Sequence, residues 1–296
     1  MKLILSRKGF DSEAGGYASP ILPDGTMVSL PIPDDSSVVK YDDLYRTTRI
    51  YQNTESLFCL MDSLSGGKIK SGRQWKQLVR ESKCHLDPDI DGSTLVRSDG
   101  WRGAFGQVDQ AATQLHNQGV EPGDIFLFFG WFRRTIECNG RIIFDKRDAT
   151  GKHILFGYLQ IGEIVNLSTS TVIESWLKKH PHLSDQYLTN RTNTLYLASE
   201  QLSLVPRLKG YGKFSFSSEL VLSKEGQARS KWQLPDLLKD ARISYHTSES
   251  WKEGYFQSAH RGQEFVVEAF DKTASDKIKR WVKGLIDRNT ISCQQA

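Results

Sequence analysis

The chain has 296 residues, with 39 lysines and arginines against 35 aspartates and glutamates, a net charge of +4 and 38% hydrophobic residues. That is enough apolar material for one large or two smaller domains, and without low-complexity tracts it argues against global disorder. A charge of +4 is compatible with an anionic partner such as nucleic acid without requiring one. No run approaches the ~18 consecutive apolar residues of a membrane span. The apolar stretch Leu3-Ile4-Leu5 is too short for a signal peptide and runs at once into Arg7-Lys8. Cys59, Cys84, Cys138 and Cys293 are isolated, with no C-x-x-C pair. The spacing speaks against a disulfide framework or a structural zinc site and for a reducing, cytoplasmic setting.

Lys2 to Ser6 reads as a short buried strand. Turn signals follow at Gly15-Gly16, Pro23-Asp24-Gly25 and Pro31-Ile32-Pro33, with a strand expected over Thr26–Leu30 between them. Asp42–Tyr51 and Gly72–Glu81 carry weak helical spacing. Apolar residues at Phe105, Val108, Ala112 and Leu115 predict a helix over Ala104–Gln118, stopped by Gly119 and Pro122. The aromatic run Ile125–Phe132 reads as a buried strand, and Asn139-Gly140 as the turn into Arg141–Phe144. His153–Val165 is a third strand, whose Gly157 and Gly162 suggest a bend or bulge. A helix is expected over Val172–Lys179, and strands at Thr194–Ala198, Lys213–Ser217 and Leu220–Leu222. A strand over Gln263–Ala269 and a helix over Ala274–Asp287 close the pattern. With no dominant βαβ alternation, the class is α+β.

Four places carry candidate chemistry. In the first loop, Arg7, Lys8 and Ser12 suit a phosphate and Asp11 a proton acceptor, although no Walker or Rossmann spacing is present. Trp131, Phe132 and Tyr158 offer base-stacking faces, with Gln160 positioned to read a base edge and Arg133 to hold phosphate. The plain alternative is that these aromatics only pack the core. His85-Leu86-Asp87-Pro88-Asp89 has residues that can bind a divalent metal or act as acid and base. Asp-Pro-Asp is also ordinary turn chemistry, so no metal set is assigned and the cofactor stays open. Arg261, Gln263 and Glu264 stand where a loop becomes a strand, with Arg261 and Gln263 candidates to hold a nucleotide or its phosphate and Glu264 a catalytic carboxylate candidate.

Two resemblances join these pieces. The aromatic strand, its hairpin and the "IGEIV" strand end resemble PUA-like domains, the group that includes ASCH and EVE modules, which implies a β-barrel over 103–235. The phrases "LSRKGFDSEAGG", "HLDPD", "GAFGQ", "NQGVEPGDIFLFFGWF", "FGYLQIGEIV", "SKWQLPD" and "RGQEFVVEA" resemble the family called nucleotide modification associated domain 3 over nearly the whole chain. That resemblance implies a bacterial or bacteriophage DNA-modification setting and assigns no catalytic residue. The expected architecture is one α+β domain over 1–296, a curved antiparallel or mixed sheet or PUA-like barrel, with 1–102 and 236–296 packed on it. The expected partner is a nucleotide or DNA, with no membrane, and the oligomeric state is open. Two functions follow: a module that recognises a base or nucleotide, or a transferase or hydrolase using Asp11 or Glu264. A scaffold or regulator of a modification system is the third alternative. Convergence of Arg7, Asp11, Arg261 and Glu264 on one pocket would favour the enzyme.

Overall fold

Leu3, Ile4, Leu5 and Ser6 are all buried, because β1 (Leu3–Arg7) is an interior strand of a ten-stranded mixed sheet. The computed structural model describes residues 1–47, 54–170, 173–259 and 264–291. Within them the sheet continues with β2 (Ser19–Ile21), β3 (Ala104–Gln107), β4 (Ile125–Cys138), β5 (Arg141–Phe144) and β6 (Lys152–Asn166). Its remaining strands are β7 (Thr194–Ala198), β8 (Tyr211–Lys213), β9 (Ala241–Ile243) and β10 (Glu264–Ala269). The path runs β9-β10-β1-β4-β6-β7-β3, with β2 and β5 on β4 and β8 on β6. β1 runs parallel to β4 and antiparallel to β10, so segments from both ends of the chain lie side by side. The flanking segments thus contribute strands to the sheet itself.

β4 is the aromatic run expected from the sequence, longer by its hairpin arm. Asn139 and Gly140 both take positive φ, 51° and 74°, the conformation a tight primed hairpin turn demands. β6 bends where a glycine was expected to bend it. The register against β7 shifts between Ile161 and Glu163, at Gly162, where a Cβ would stand 2.8 Å from the Ser199 backbone. A second shift falls between Phe128 and Phe129. The fold is α+β and dominated by its sheet, and the expected closed barrel is not seen among the described residues. Among the described residues the path ends at β9 and β3 with no pairing to join them.

Helices α1 (Leu57–Ser65), α2 (Asp109–Asn117), α3 (Asp185–Leu188) and α4 (Lys272–Asn289) complete the frame. The Asp271 carboxylate caps α4 by accepting the Ala274 N–H at 2.8 Å, and Ala274, Ile278, Val282 and Leu285 form its buried stripe. A second core, around Phe10, Tyr41, Leu60 and Met61, receives Ile142 from the β4–β5 hairpin.

Several local expectations are corrected. Ala104–Gln107 is strand β3, with all four residues buried against β7, and the helix starts only at Asp109. The apolar spacing there served two elements. Gly72–Glu81 contains a strand, Gln74–Gln77, paired with Lys68–Ser71. Asp42–Tyr51 begins as a 3-10 turn and a strand, Tyr45–Thr47, before leaving the described residues. Thr26–Leu30 makes only isolated bridges. The Lys213–Ser217 strand stops at Lys213, and Val221 makes a single bridge to Ile154. Ser175–Lys179 is a 3-10 helix, with Val172 outside the described residues.

Candidate functional site

Strand alternation sorts the predicted residues onto different faces. Ser6 and Lys8 face Glu264, which opens β10 opposite Ser6. Lys8 Nζ donates to Glu264 Oε1 at 2.8 Å, and Ser6 Oγ donates at 3.3 Å. Gln107 Nε2, from β3 at the far end of the path, donates to the same oxygen. The sheet is therefore curled enough that its distant strands meet through side chains. Lys8 Nζ also stands 4.6 Å over the Phe105 ring. Burial, and then the Glu264 charge, push the Tyr196 hydroxyl up. Nearby Tyr245 holds φ at 65°, an uncommon conformation for a bulky residue, and is 54% exposed. Arg261 and Gln263 lie outside the described residues.

Arg7 turns to the opposite face, into a group with His153, Arg229, Trp131 and Trp232. Arg229 lies 3.9 Å over the Trp131 ring, whose Nε1 donates to the Thr150 carbonyl at 2.9 Å. Asp11 serves its own loop: Oδ1 accepts the Glu13 and Ala14 N–H groups at 2.8 and 2.7 Å. Ser12 is exposed, and Arg133 donates to the carbonyls of Asp148 and Asp145. Arg7 and Asp11 thus do not share the Glu264 cluster. Phe132 and Tyr158 are 0% exposed, and Gln160 spends its amide on Gly123 and Ser203. These three pack the interior, the plain alternative for buried aromatics, and present no stacking face.

His153 yields a pH prediction. Its Nδ1 accepts the Trp232 Nε1–H at 3.1 Å, which requires a neutral imidazole. Burial first, then the charges of Arg229 and Arg7, push its pKa down to about 3. The folded value lies below the free value of ~6.5, so this group's contribution is complete above about pH 6.5 and is lost as pH falls toward 3. At pH 5.5 the loss should reach roughly 1–1.5 kcal/mol. Urea denaturation at pH 7.5 and 5.5 should show a loss in the natural protein that exceeds the loss in His153→Gln by about this amount, the remainder coming from other buried histidines such as His182.

On the other face of β3 lies a histidine–carboxylate cluster. Asp87 accepts the Gly106 N–H at 2.9 Å and is surrounded by His180, His182 and His85 at 3.5, 3.7 and 3.8 Å. His85 Nδ1 donates to Asp34 at 2.8 Å, and His182 Nδ1 donates to Asn193 Oδ1 at 2.7 Å. Asn193 is oriented by its own donations to the carbonyls of His182 and Tyr187. Burial raises Asp87, but the imidazoles around it, His180 foremost, outweigh it and hold the carboxyl well below the usual range. Burial drives His182 down to about 4 despite the Asp87 charge. His85 and Asp87 were legible as candidates. His180, His182, Asp34 and Asn193 were not, although His180-Pro181-His182 is a conspicuous pair in a chain with 7 histidines. Asp89 instead forms a two-pronged pair with Arg97, one contact at 2.6 Å.

His180 also borders a cavity of about 190 Å³ lined by Arg97, Trp101, Trp176, Lys178 and Lys179. Arg97 lies 4.1 Å over the Trp101 ring. A second depression, of about 300 Å³, sets Arg134, Arg147 and Lys152 against Asp145, Asp148 and Glu225, so its charges balance.

Fold and site together define a sheet-dominated α+β protein with two buried polar clusters on either face of one strand, the second bordering an aromatic, basic cavity. Residues 2–268 match the model of the family described as nucleotide modification associated domain 3, and the chain belongs to that family. No curated protein and no solved structure matches it. The family's description associates the chain with nucleotide modification. No helix among the described residues is long and apolar enough to cross a membrane.

Proposed function

We propose that the protein recognises a nucleotide or a nucleic-acid base in the cavity between Trp101 and Trp176. The observation that carries this reading is the pairing of two indoles with Arg97, Lys178 and Lys179 around one cavity. Stacking on an aromatic face is worth ~1–3 kcal/mol per base, and exposed lysines at the rim suit phosphate. The family description supports the same ligand class. This reading puts the role on other segments than the Trp131 and Arg133 expected from the sequence.

Trp101→Ala is expected to weaken binding of a nucleotide or short single-stranded DNA by roughly 10–100-fold, as measured by titration calorimetry. Lys178→Ala with Lys179→Ala should flatten the salt dependence. Retention unchanged by Trp101→Ala, or no retention of any nucleotide or DNA, would defeat the reading. Mass spectrometry of the same incubations separates binding from conversion. A second reading, an enzyme acting on the bound nucleotide or base, is favoured by the convergence of Lys8, Gln107 and Glu264 from three distant segments. There Glu264 is the proton acceptor and Lys8 and Arg261 neutralise phosphate.

A further inference from the structure

We infer that His85, Asp87 and His182 form a binding site for one divalent first-row transition metal ion, such as Fe²⁺, Co²⁺ or Zn²⁺. Their ligand atoms all lie within 4.8 Å of one another, and the side chains are 10%, 4% and 4% exposed. Metal bonds of roughly 2.1 Å place neighbouring ligand atoms roughly 3–3.5 Å apart. The Nε2–Oδ2 separations of 3.8 and 3.7 Å therefore need only a small contraction to share an ion.

The surroundings point the same way. Each ligand histidine commits its Nδ1–H outward, His85 to the Asp34 carboxylate and His182 to Asn193 Oδ1, and so turns Nε2 toward Asp87. That outer hydrogen bond is the usual device for fixing a metal-binding imidazole. Asp87 is itself positioned by the Gly106 N–H.

An independent observation comes from His180, which is 6% exposed. Its Nδ1 accepts the His182 N–H at 3.3 Å, so a neutral ring carries its proton on Nε2, and that atom has no hydrogen-bond partner. A buried donor without an acceptor is costly. Here it stands 3.5 Å from Asp87 Oδ1 and belongs to a residue bordering the cavity. A water, or an oxygen of a bound molecule, on the metal would supply the missing acceptor. Two imidazoles and one carboxylate leave coordination positions open and favour borderline transition ions over Ca²⁺ or Mg²⁺. The site stands whether or not the cavity takes a nucleotide.

The test is titration of chelator-treated full-length protein with Co²⁺, read by visible absorption and by equilibrium dialysis, with Zn²⁺ competition. One equivalent should bind with a ligand-field spectrum containing nitrogen and oxygen ligands. Asp87→Asn should weaken it at least 100-fold, and Asp34→Asn, which leaves all three ligands in place, by 10–100-fold. Circular dichroism confirms that each variant is folded. Should Asp87→Asn fail to fold, Asp34→Asn alone carries the decision. No stoichiometric binding by the folded natural protein, or binding indifferent to these substitutions, would overturn the site.

Discussion

Replacing Lys8 with methionine is expected to destabilise the protein by about 3–5 kcal/mol, far beyond the 0–1 kcal/mol of an exposed ion pair. Lys8 and Glu264 side chains are only 10% and 3% exposed, so removing the ammonium leaves a carboxylate buried without its counter-charge. Gln107 and Ser6 still donate to it, but two neutral hydrogen bonds do not replace a cation. Adding Glu264→Gln should recover most of the loss, because the amide removes the stranded charge and nearly preserves the shape. A urea-denaturation double-mutant cycle measures this directly. A cost below about 1 kcal/mol for Lys8→Met would mean that water reaches the pair freely. The same Glu264→Gln protein separates roles. An enzyme using this carboxylate as proton acceptor loses conversion while it stays folded and retains its ligand, whereas a binding module shows no conversion to lose.

Gly106→Ala should be the next most damaging change. A Cβ at this position would meet three ring atoms of His182 at 2.4–2.6 Å. The ring cannot step aside cheaply, because Asn193 holds its Nδ1 and Tyr187 stacks on it at 4.8 Å. Overpacking of this kind costs about 1–3 kcal/mol. The larger consequence is displacement of His182 from Asp87, and with it a loss of Co²⁺ affinity. Thermal melting and Co²⁺ titration of Gly106→Ala measure the two effects. Full stability with unchanged metal affinity would mean that the His182 loop is slack.

Much of the sheet was legible because its strongest signals are local. The aromatic run of β4, the Asn139-Gly140 turn, the glycine bulge in β6 and the apolar stripe of α4 each arise within a few residues. β3 was misread because Phe105 satisfies a helical spacing with Val108 and Ala112, while its actual partners are on β7, some ninety residues away. Glu264, Lys8, His85 and Asp87 stood out as chemistry-bearing residues in the chain. Their grouping did not. Arg7 and Lys8 are equivalent as sequence neighbours, yet strand alternation sends one to His153 and the other to Glu264.

From the chain alone come the α+β class, the family likeness that the match over residues 2–268 bears out, and the residues able to do chemistry. Only tertiary packing decided that the sheet path has no closing pairing among the described residues, that Phe132 and Tyr158 fill its core, and that Gln107 meets Glu264 across 157 residues of sequence. The same packing brought His180 and His182 onto Asp87. The reason is physical: propensity and periodicity act over a few neighbours, whereas the curl of a sheet sets which distant side chains share one buried space, and buried charge must find its partner there.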